Sequence, residues 1–487
     1  MSEVRSGPGN YIDGAWVVGD GAESTSYNPS TEEPLFRATG AAPDQVAAAL
    51  DAAHREFHGG AWSRLSAAER GALLHRLADL MERDAEELTD LIAREVGTAI
   101  STAKQQVYAP IDFLRWFADA AVRGPADGLE QQLRLHHEPV TTSSMLLREP
   151  AGVVAAVTAY NYPIMLIVWK IGPALAAGCT GVLVPSPKAL ACTVKMVELF
   201  DEAGFPPGAV NLVFGPPAVT EQVVGSPKID LASFTGSAAV GIAIQQLAAP
   251  NLTKVVLELG GKSPNIVLPG TDIDSVIAGS ALRFCLNAGQ ACGATTRSFV
   301  PRADFDEFVS KSAEYMSGLT VGDASDPSST VGPLITGEHL TSVEGFLERA
   351  VSAGATIVTG GKRPAGLERG FFLEPTLVTG LDNSAEIAQE ELFAPVSIVI
   401  PYDDVDEAVR MANEAKYALN ANVWGVTTEA IEVARRLRSG TVTINGGGGR
   451  RLDAPWGGPG MSGIGRECGE EGYREFFEVK HVQWPIR

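Results

Sequence analysis

An α/β fold with a parallel sheet and more than one domain is what this sequence predicts, on three observations. The chain has 487 residues, beyond the roughly 250–300 at which one hydrophobic core stops growing. From about residue 150 onward, short β-branched runs alternate with alanine-rich helical stretches. That pattern implies right-handed βαβ crossovers and sheets covered on both faces. With 45% hydrophobic and 20% charged residues, the composition is that of an ordinary globular protein.

The elements follow in order. Residues 43 to 124 read mainly as helices: PDQVAAALDAAHREFH opens on a Pro-Asp start, and the stretch from Ser66 to Gly97 keeps Leu73, Leu74, Leu77, Leu80, Met81, Leu88, Leu91 and Ile92 on one face. Residues 131 to 149, QQLRLHHEPVTTSSMLLRE, alternate in a way that suits a two-stranded hairpin. Neighbouring strand side chains such as His136 and His137 point to opposite faces, so no metal site is expected there. GVVAAVTAY, TGVLV and AVNLVFG then read as strands, with PIMLIVWKIGPALAAG and SPKALACTVKMVELFDEAG as the helices between them. DLASFTGSAAVGIAIQQLA is a strand turning into a helix. LELGGKSP supplies a glycine-rich joint near residue 260, and a second α/β series follows, with Cys285 on a helix face (ALRFCLN).

The 38 basic residues against 59 acidic ones give a formal charge of −21. Such a field repels nucleic acid and anionic membranes, and an anionic cofactor must be held by local donors. The five cysteines (Cys179, Cys192, Cys285, Cys292, Cys468) are odd in number and include no C-x-x-C, which reads as free thiols in a reducing compartment. The start, MSEVRSGPGNYIDG, has no apolar leader, and no apolar run is long enough for a bilayer. A cytoplasmic location is expected.

Four stretches can carry chemistry. In SFTGSAAVGIAI, Gly236 and Gly241 flank Ser237 where a strand hands over to a helix, so the helix end can take up a pyrophosphate or Ser237 can simply cap it. In TAYNYPIMLIVWK, Asn161 precedes a helix whose Pro163 sits at a legitimate first-turn position; its amide either caps that helix or faces a developing oxyanion. In VVLELGGKSPNIV, Glu258 ends a buried strand, where desolvation suits a carboxylate to general-base work; a structural bond to loop amides is the alternative. In NAGQACGATTR, Cys292 lies among Gly289, Gln290, Ala291, Gly293 and Ala294, company too small to bury a structural thiol.

Asn161 in YNYP, Gly236 in FTGS, Glu258 in LELGGKSP, Cys292 in GQAC, then EELFAPV and PWGGPGMSGIGRE, occur in one order and at spacings that resemble the aldehyde dehydrogenase superfamily from about NPSTEE to EVKHV. The resemblance implies a Rossmann-like NAD(P)-binding domain (residues 1–126 and 150–260), an α/β catalytic domain (261–471) and a small β oligomerisation arm (127–149 and 472–487). It implies oxidation of an aldehyde to a carboxylic acid through a cysteine thiohemiacetal and thioester. Cys292 is then the nucleophile, Asn161 and the Cys292 N–H hold the oxyanion, Glu258 activates water, and Lys170 and Glu467 relay protons. Thr158, Tyr160, Ser186, Lys188, Gly236, Ser237, Leu259, Glu391 and Phe393 would hold the cofactor. Tyr162, Trp169, Arg450 and Trp456 would line the substrate tunnel, and a homodimer or homotetramer is implied.

The chain departs from the family where Val184, Pro185, Ser186 and Pro187 replace the usual Lys-Pro-Ser-Glu at the adenosine ribose. The reading leans to NAD over NADP, with Lys188 near enough in sequence to compensate for the missing lysine. Arg450 and Arg451 raise the idea of an anionic semialdehyde substrate; a solvated arginine pair is the alternative. Chemistry from the same thiol could instead be CoA acylation or cofactor-independent esterase action. Against CoA acylation, relatives of that kind usually lack the base that Glu258 supplies.

Overall fold

The computed structural model describes residues 5–447 and 451–486. Four helices, Pro43–Gly59, Ala67–Arg83, Ala85–Val96 and Ile100–Arg123, fill the region read as helical. The second begins where Ser66 and Glu69 form a reciprocal capping box, the Ser66 N–H donating to the Glu69 carboxylate at 2.7 Å. Leu74, Leu77, Met81, Leu88 and Ile92 are fully buried, whereas Leu73 and Leu80 are only partly so.

Two large sheets follow. The first has eight strands in the order Gly463–Ile464, Lys254–Glu258, Leu231–Thr235, Val153–Thr158, Thr180–Pro185, Val210–Leu212, Asn10–Ile12 and Ala15–Val17. Its five central strands are parallel, joined by βαβ crossovers. Its edges are antiparallel, which corrects the wholly parallel expectation. The edge strands arrive from the N-terminus and from the residue-460 region, so no crossover helix dictates their direction. The second sheet has seven strands, all parallel except Thr356–Thr359 at one edge.

Glu258 ends a strand of the first sheet and Pro264 begins one of the second, so the chain changes sheets within the joint Leu259–Ser263. Thr158, Thr235 and Glu258 are the C-terminal residues of three adjacent parallel strands. Crevices outside such carboxyl ends are where α/β sheets receive ligands.

The expected hairpin forms from Glu130–Gln132 and Thr142–Pro150, and gains a third partner: Phe477–Pro485 runs antiparallel to Thr142–Pro150 along its whole length. Among the described residues no helix is long and apolar enough to cross a membrane, and no cluster of potential metal ligands occurs.

Candidate active site

The strand Val153–Thr158 stops three residues before Asn161, and the helix Pro163–Ala177 starts two residues after it, with Tyr162 as the capping position and no side-chain cap. Asn161 therefore does not cap that helix. It is 4% exposed, and its amide donates to the Gln290 carbonyl at 3.0 Å while Oδ1 stays unpartnered. The same carbonyl accepts from the Asn287 amide at 3.2 Å, and Asn287 also donates to the main-chain carbonyl of Asn161 at 3.1 Å. Thr98 in turn donates to Oδ1 of Asn287. Asn287 and Ala288 both have left-handed backbones, φ 53° and 51°, a conformation that asparagine tolerates and alanine resists. Buried hydrogen-bond networks fix geometry; this one ties the oxyanion candidate to the thiol loop and leaves Oδ1 of Asn161 without a partner.

All five cysteines are free, four are buried, and Cys292 alone is partly exposed. Cys285 lies just beyond the helix Ile273–Arg283 rather than on it, and packs in the core of the second sheet. Burial, with the Glu258 and Glu391 carboxyls nearby, pushes the Cys292 thiol well up, so it rests protonated and needs a base. Glu258, 2% exposed, is also raised well above the usual carboxylate range, first by burial and then by Glu467. Neither of its carboxyl oxygens has a hydrogen-bond partner. Gly457 makes room for it: a Cβ there would lie 2.3 Å from Oε1 of Glu258. The main-chain N–H of Cys292 likewise has no partner among the described residues.

Two cavities meet these groups. One of about 240 Å³ is lined by Tyr162, Met165, Leu166, Trp169, Trp456 and the catalytic candidates Asn161, Glu258, Cys292 and Glu467. A second, of about 330 Å³, is lined by Tyr160, Gly236, Ser237, Leu259, Glu391 and Phe393, together with Asn161 and Cys292. Asn161, Thr235 and Cys292 stand in the walls of both. A third, of about 590 Å³, is lined by Thr158, Val184, Ser186 and Pro187, and also by Glu23 and Glu221.

The Aldehyde dehydrogenase family model matches residues 16–482. The chain belongs to this family. It is 37% identical to the betaine aldehyde dehydrogenase of Bacillus subtilis over 478 residues, covering 97% of this chain and 96% of that protein. It is 35% identical over 482 residues to the human 2-aminomuconic semialdehyde dehydrogenase, covering 97% of each. A crystal structure of a Staphylococcus aureus betaine aldehyde dehydrogenase variant, in complex with NAD+ and carrying a BME-modified cysteine, superposes with a TM-score of 0.94 at 35% identity, covering 97% of this chain and 95% of that one. The enzyme is an oxidoreductase acting on aldehydes.

In this aldehyde dehydrogenase the expected cofactor residues do not all share one cavity. Lys188 leaves the 590 Å³ cavity to Ser186 and Pro187 and instead lines a separate one, with its ammonium 5.4 Å from the centre of the Tyr160 ring. Val184 and Pro187 line the 590 Å³ cavity, and no lysine does among the described residues. Ser237 caps its helix, accepting from the Val240 N–H at 3.4 Å, while also lining the 330 Å³ cavity; capping does not remove it from the cavity wall. Phe393 is held at φ 54° and its carbonyl accepts from Nε2 of His339 at 2.9 Å. Arg451 is exposed and ion-paired to Asp453 at 2.7 Å, away from the substrate cavity's lining. Arg450 lies outside the described residues.

Lys170 and Glu467, 0% and 1% exposed, form an ion pair to which the Ser233 hydroxyl adds a bond at 3.3 Å to Glu467. Breaking such a pair from one side leaves an uncompensated buried charge. Lys170→Met is expected to lower unfolding free energy by about 3–5 kcal/mol, read from chemical denaturation curves. Thr235, His339 and Asn287 were not singled out from sequence. Thr235 stands inside the FTGS motif, but nothing local distinguishes a wall residue from a strand end; His339 sits in a helix far along the second series.

Proposed function

We propose that this aldehyde dehydrogenase oxidises an aldehyde to a carboxylic acid with a nicotinamide dinucleotide, by covalent catalysis at Cys292 and hydrolysis. The observation that carries this reading is that Cys292, Asn161 and Thr235 stand in the walls of both the 240 Å³ and the 330 Å³ cavity. A carbonyl carbon presented from one side thus meets the thiol next to a hydride acceptor presented from the other.

The residues fit a dinucleotide. The 590 Å³ cavity, between Val184, Pro187 and the helix Ala238–Ala248, suits an adenosine. The 330 Å³ cavity carries the Glu391 carboxylate, which can accept ribose hydroxyls, and Phe393 and Tyr160, which can flank a ring. Between them the start of an 11-residue helix offers N–H groups to a pyrophosphate. When bound, the cofactor supplies the hydride acceptor.

The chain's own groups do the rest. Glu258 takes the Cys292 proton, and the sulfur attacks the carbonyl carbon. The oxyanion is held by the Asn161 amide and the Cys292 N–H, an arrangement in which one such donor contributes about 3–4 kcal/mol. Loss of hydride leaves a thioester on Cys292. Lys170 and Glu467 pass the Cys292 proton outward from Glu258. The freed Glu258 then takes a proton from water, whose oxygen attacks the thioester carbon, and returns that proton to the departing sulfur as the acid is released.

The substrate cavity supports a compact apolar or cationic aldehyde over an anionic one. Tyr162, Trp169 and Trp456 present aromatic faces, which attract cations; two carboxyls stand among them, and no lysine or arginine lines it among the described residues. Free Glu23 and Glu221 carboxylates at the adenosine-side cavity repel a 2′-phosphate and favour NAD. The three-stranded arm, with Val479 and Trp484 exposed, supports a homo-oligomer.

An aldehyde panel followed at 340 nm with NAD and NADP separately tests the reading. NAD is expected to give the higher kcat/KM, and succinic semialdehyde a lower one than a neutral aldehyde of equal length. A preference for the semialdehyde would return the substrate to the Arg450 loop, and absence of cofactor reduction with every aldehyde would end the proposal.

A further inference from the structure

Gln290 stands two residues before the thiol, fully buried, and lines neither the 240 Å³ nor the 330 Å³ cavity. Its side chain has no part in the chemistry above, yet every hydrogen-bonding position on it is used. Oε1 accepts from the Ile335 N–H at 3.0 Å and from the Tyr160 hydroxyl at 3.2 Å. Nε2 donates to the Asn287 carbonyl at 3.2 Å and to the Pro333 carbonyl at 3.4 Å. A main-chain N–H can only donate and a carbonyl can only accept, so the amide has one orientation and the Tyr160 hydroxyl is the donor.

These partners come from three parts of the chain. Tyr160 follows the strand Val153–Thr158 and lines the 330 Å³ cavity. Pro333 and Ile335 lead into the helix Gly337–Ser352, whose His339 lines the same cavity and bonds the Phe393 carbonyl. Asn287 belongs to the thiol loop itself. The main chain of Gln290 completes the junction: its carbonyl accepts from the Asn161 and Asn287 amides, and its N–H donates to the Asn287 carbonyl at 3.0 Å.

The loop needs such a tie. Asn287, Ala288 and Gly289 are left-handed in succession, and only the last is glycine. Backbone of that kind persists in other residues only where the surroundings over-determine it. A Cβ on Gly289 would lie 2.1 Å from the Ala394 carbonyl group. The loop thus packs tightly on Ala394, beside Phe393, and the Gln290 side chain ties it to Tyr160.

We propose that Gln290 is a positioning residue for the covalent step: through the Tyr160 hydroxyl it locks the thiol loop to the wall of the cofactor cavity, and so holds Cys292 in register with the Asn161 amide. This rests on the proposed chemistry at Cys292. Because the Gln290 side chain reaches neither cavity, its effect falls on rate and not on cofactor affinity. Removing the Tyr160 hydroxyl alone keeps the ring in the cavity wall and cuts the tie.

The test compares full-length wild type, Tyr160→Phe, Gln290→Met and the double variant. Stopped flow follows the first turnover of NAD reduction with the best aldehyde of the panel above. Calorimetry gives the Kd for NAD, and hydrogen exchange of residues 287–294 is read without cofactor. Tyr160→Phe is expected to slow the first turnover about three- to tenfold, the range of one neutral hydrogen bond, with the Kd for NAD within about twofold of wild type. Exchange of residues 287–294 should quicken by a similar factor. A bond that serves stability alone would lower Tm and leave the first turnover of the folded enzyme at the wild-type rate. Gln290→Met should be slower still, and the double variant no slower than Gln290→Met, since the hydroxyl acts through the amide. A wild-type rate or wild-type exchange in either single variant, an additive double variant, or a Kd that rises as far as the rate falls overturns the proposal. Should Gln290→Met not fold, Tyr160→Phe decides by itself. Wild type that reduces NAD with none of the aldehydes ends the proposed function and this inference with it; wild type that turns over beside variants that match it ends this inference alone.

Discussion

Cys292→Ser is expected to lower kcat by about a thousandfold or more, equivalent to about 4 kcal/mol of transition-state stabilisation, while leaving the Kd for NAD within about twofold of wild type. Serine nearly preserves the size of the side chain, and so the shared wall between the 240 and 330 Å³ cavities. It replaces a sulfur nucleophile by a hydroxyl that is far harder to deprotonate. The base available, Glu258, has no hydrogen-bond partner to strengthen it beyond what burial provides. Cofactor reduction at 340 nm measures kcat, and calorimetry measures NAD binding. Full turnover in the serine variant would exclude covalent catalysis at this position.

Glu258→Gln follows in size, with an expected loss of about 10²–10⁴ in kcat, the range for general-base catalysis. Because Glu258 serves both the first deprotonation of the Cys292 thiol and the later activation of water, this variant should show a slowed stopped-flow burst of reduced cofactor as well as slow steady turnover. A burst at the wild-type rate would confine the role of Glu258 to the activation of water. The pH dependence has a definite sign. Burial and the Glu467 carboxyl raise Glu258 well above the usual carboxylate range, so the base form accumulates only as pH rises through that raised value. In wild type kcat should climb with pH above the usual carboxylate range. Glu258→Gln should lose that rise, since glutamine does not titrate in this range.

The candidate reactive residues were legible because their neighbours announce them. Cys292 sits among residues too small to bury it, and Glu258 follows a run of apolar strand residues, so a raised carboxyl could be expected from sequence and is found. The helix starting at Pro163 and the strand-to-helix turn at Ser237 obey local rules and form as read. Lys188 could not be placed from sequence, because closeness along the chain to Ser186 says nothing about which wall a long side chain joins; its ammonium lies 5.4 Å from the centre of the Tyr160 ring. The antiparallel edges of the first sheet were missed for a related reason, since strand direction there depends on segments hundreds of residues away.

Sequence by itself determined the element types, the joint near residue 260, the chemistry on offer at positions 161, 258 and 292, and membership of the aldehyde dehydrogenase family. These follow from side-chain identity and from neighbours a few positions away, which periodicity and spacing record. Only the tertiary structure decided that Asn161 shares the Gln290 carbonyl with Asn287, that one thiol opens to two cavities, and that the Glu391 carboxylate accepts from the Gly261 N–H of the glycine joint. Each of those depends on distance and desolvation between segments more than a hundred residues apart, set by how the two large sheets and the loops at their strand ends pack together.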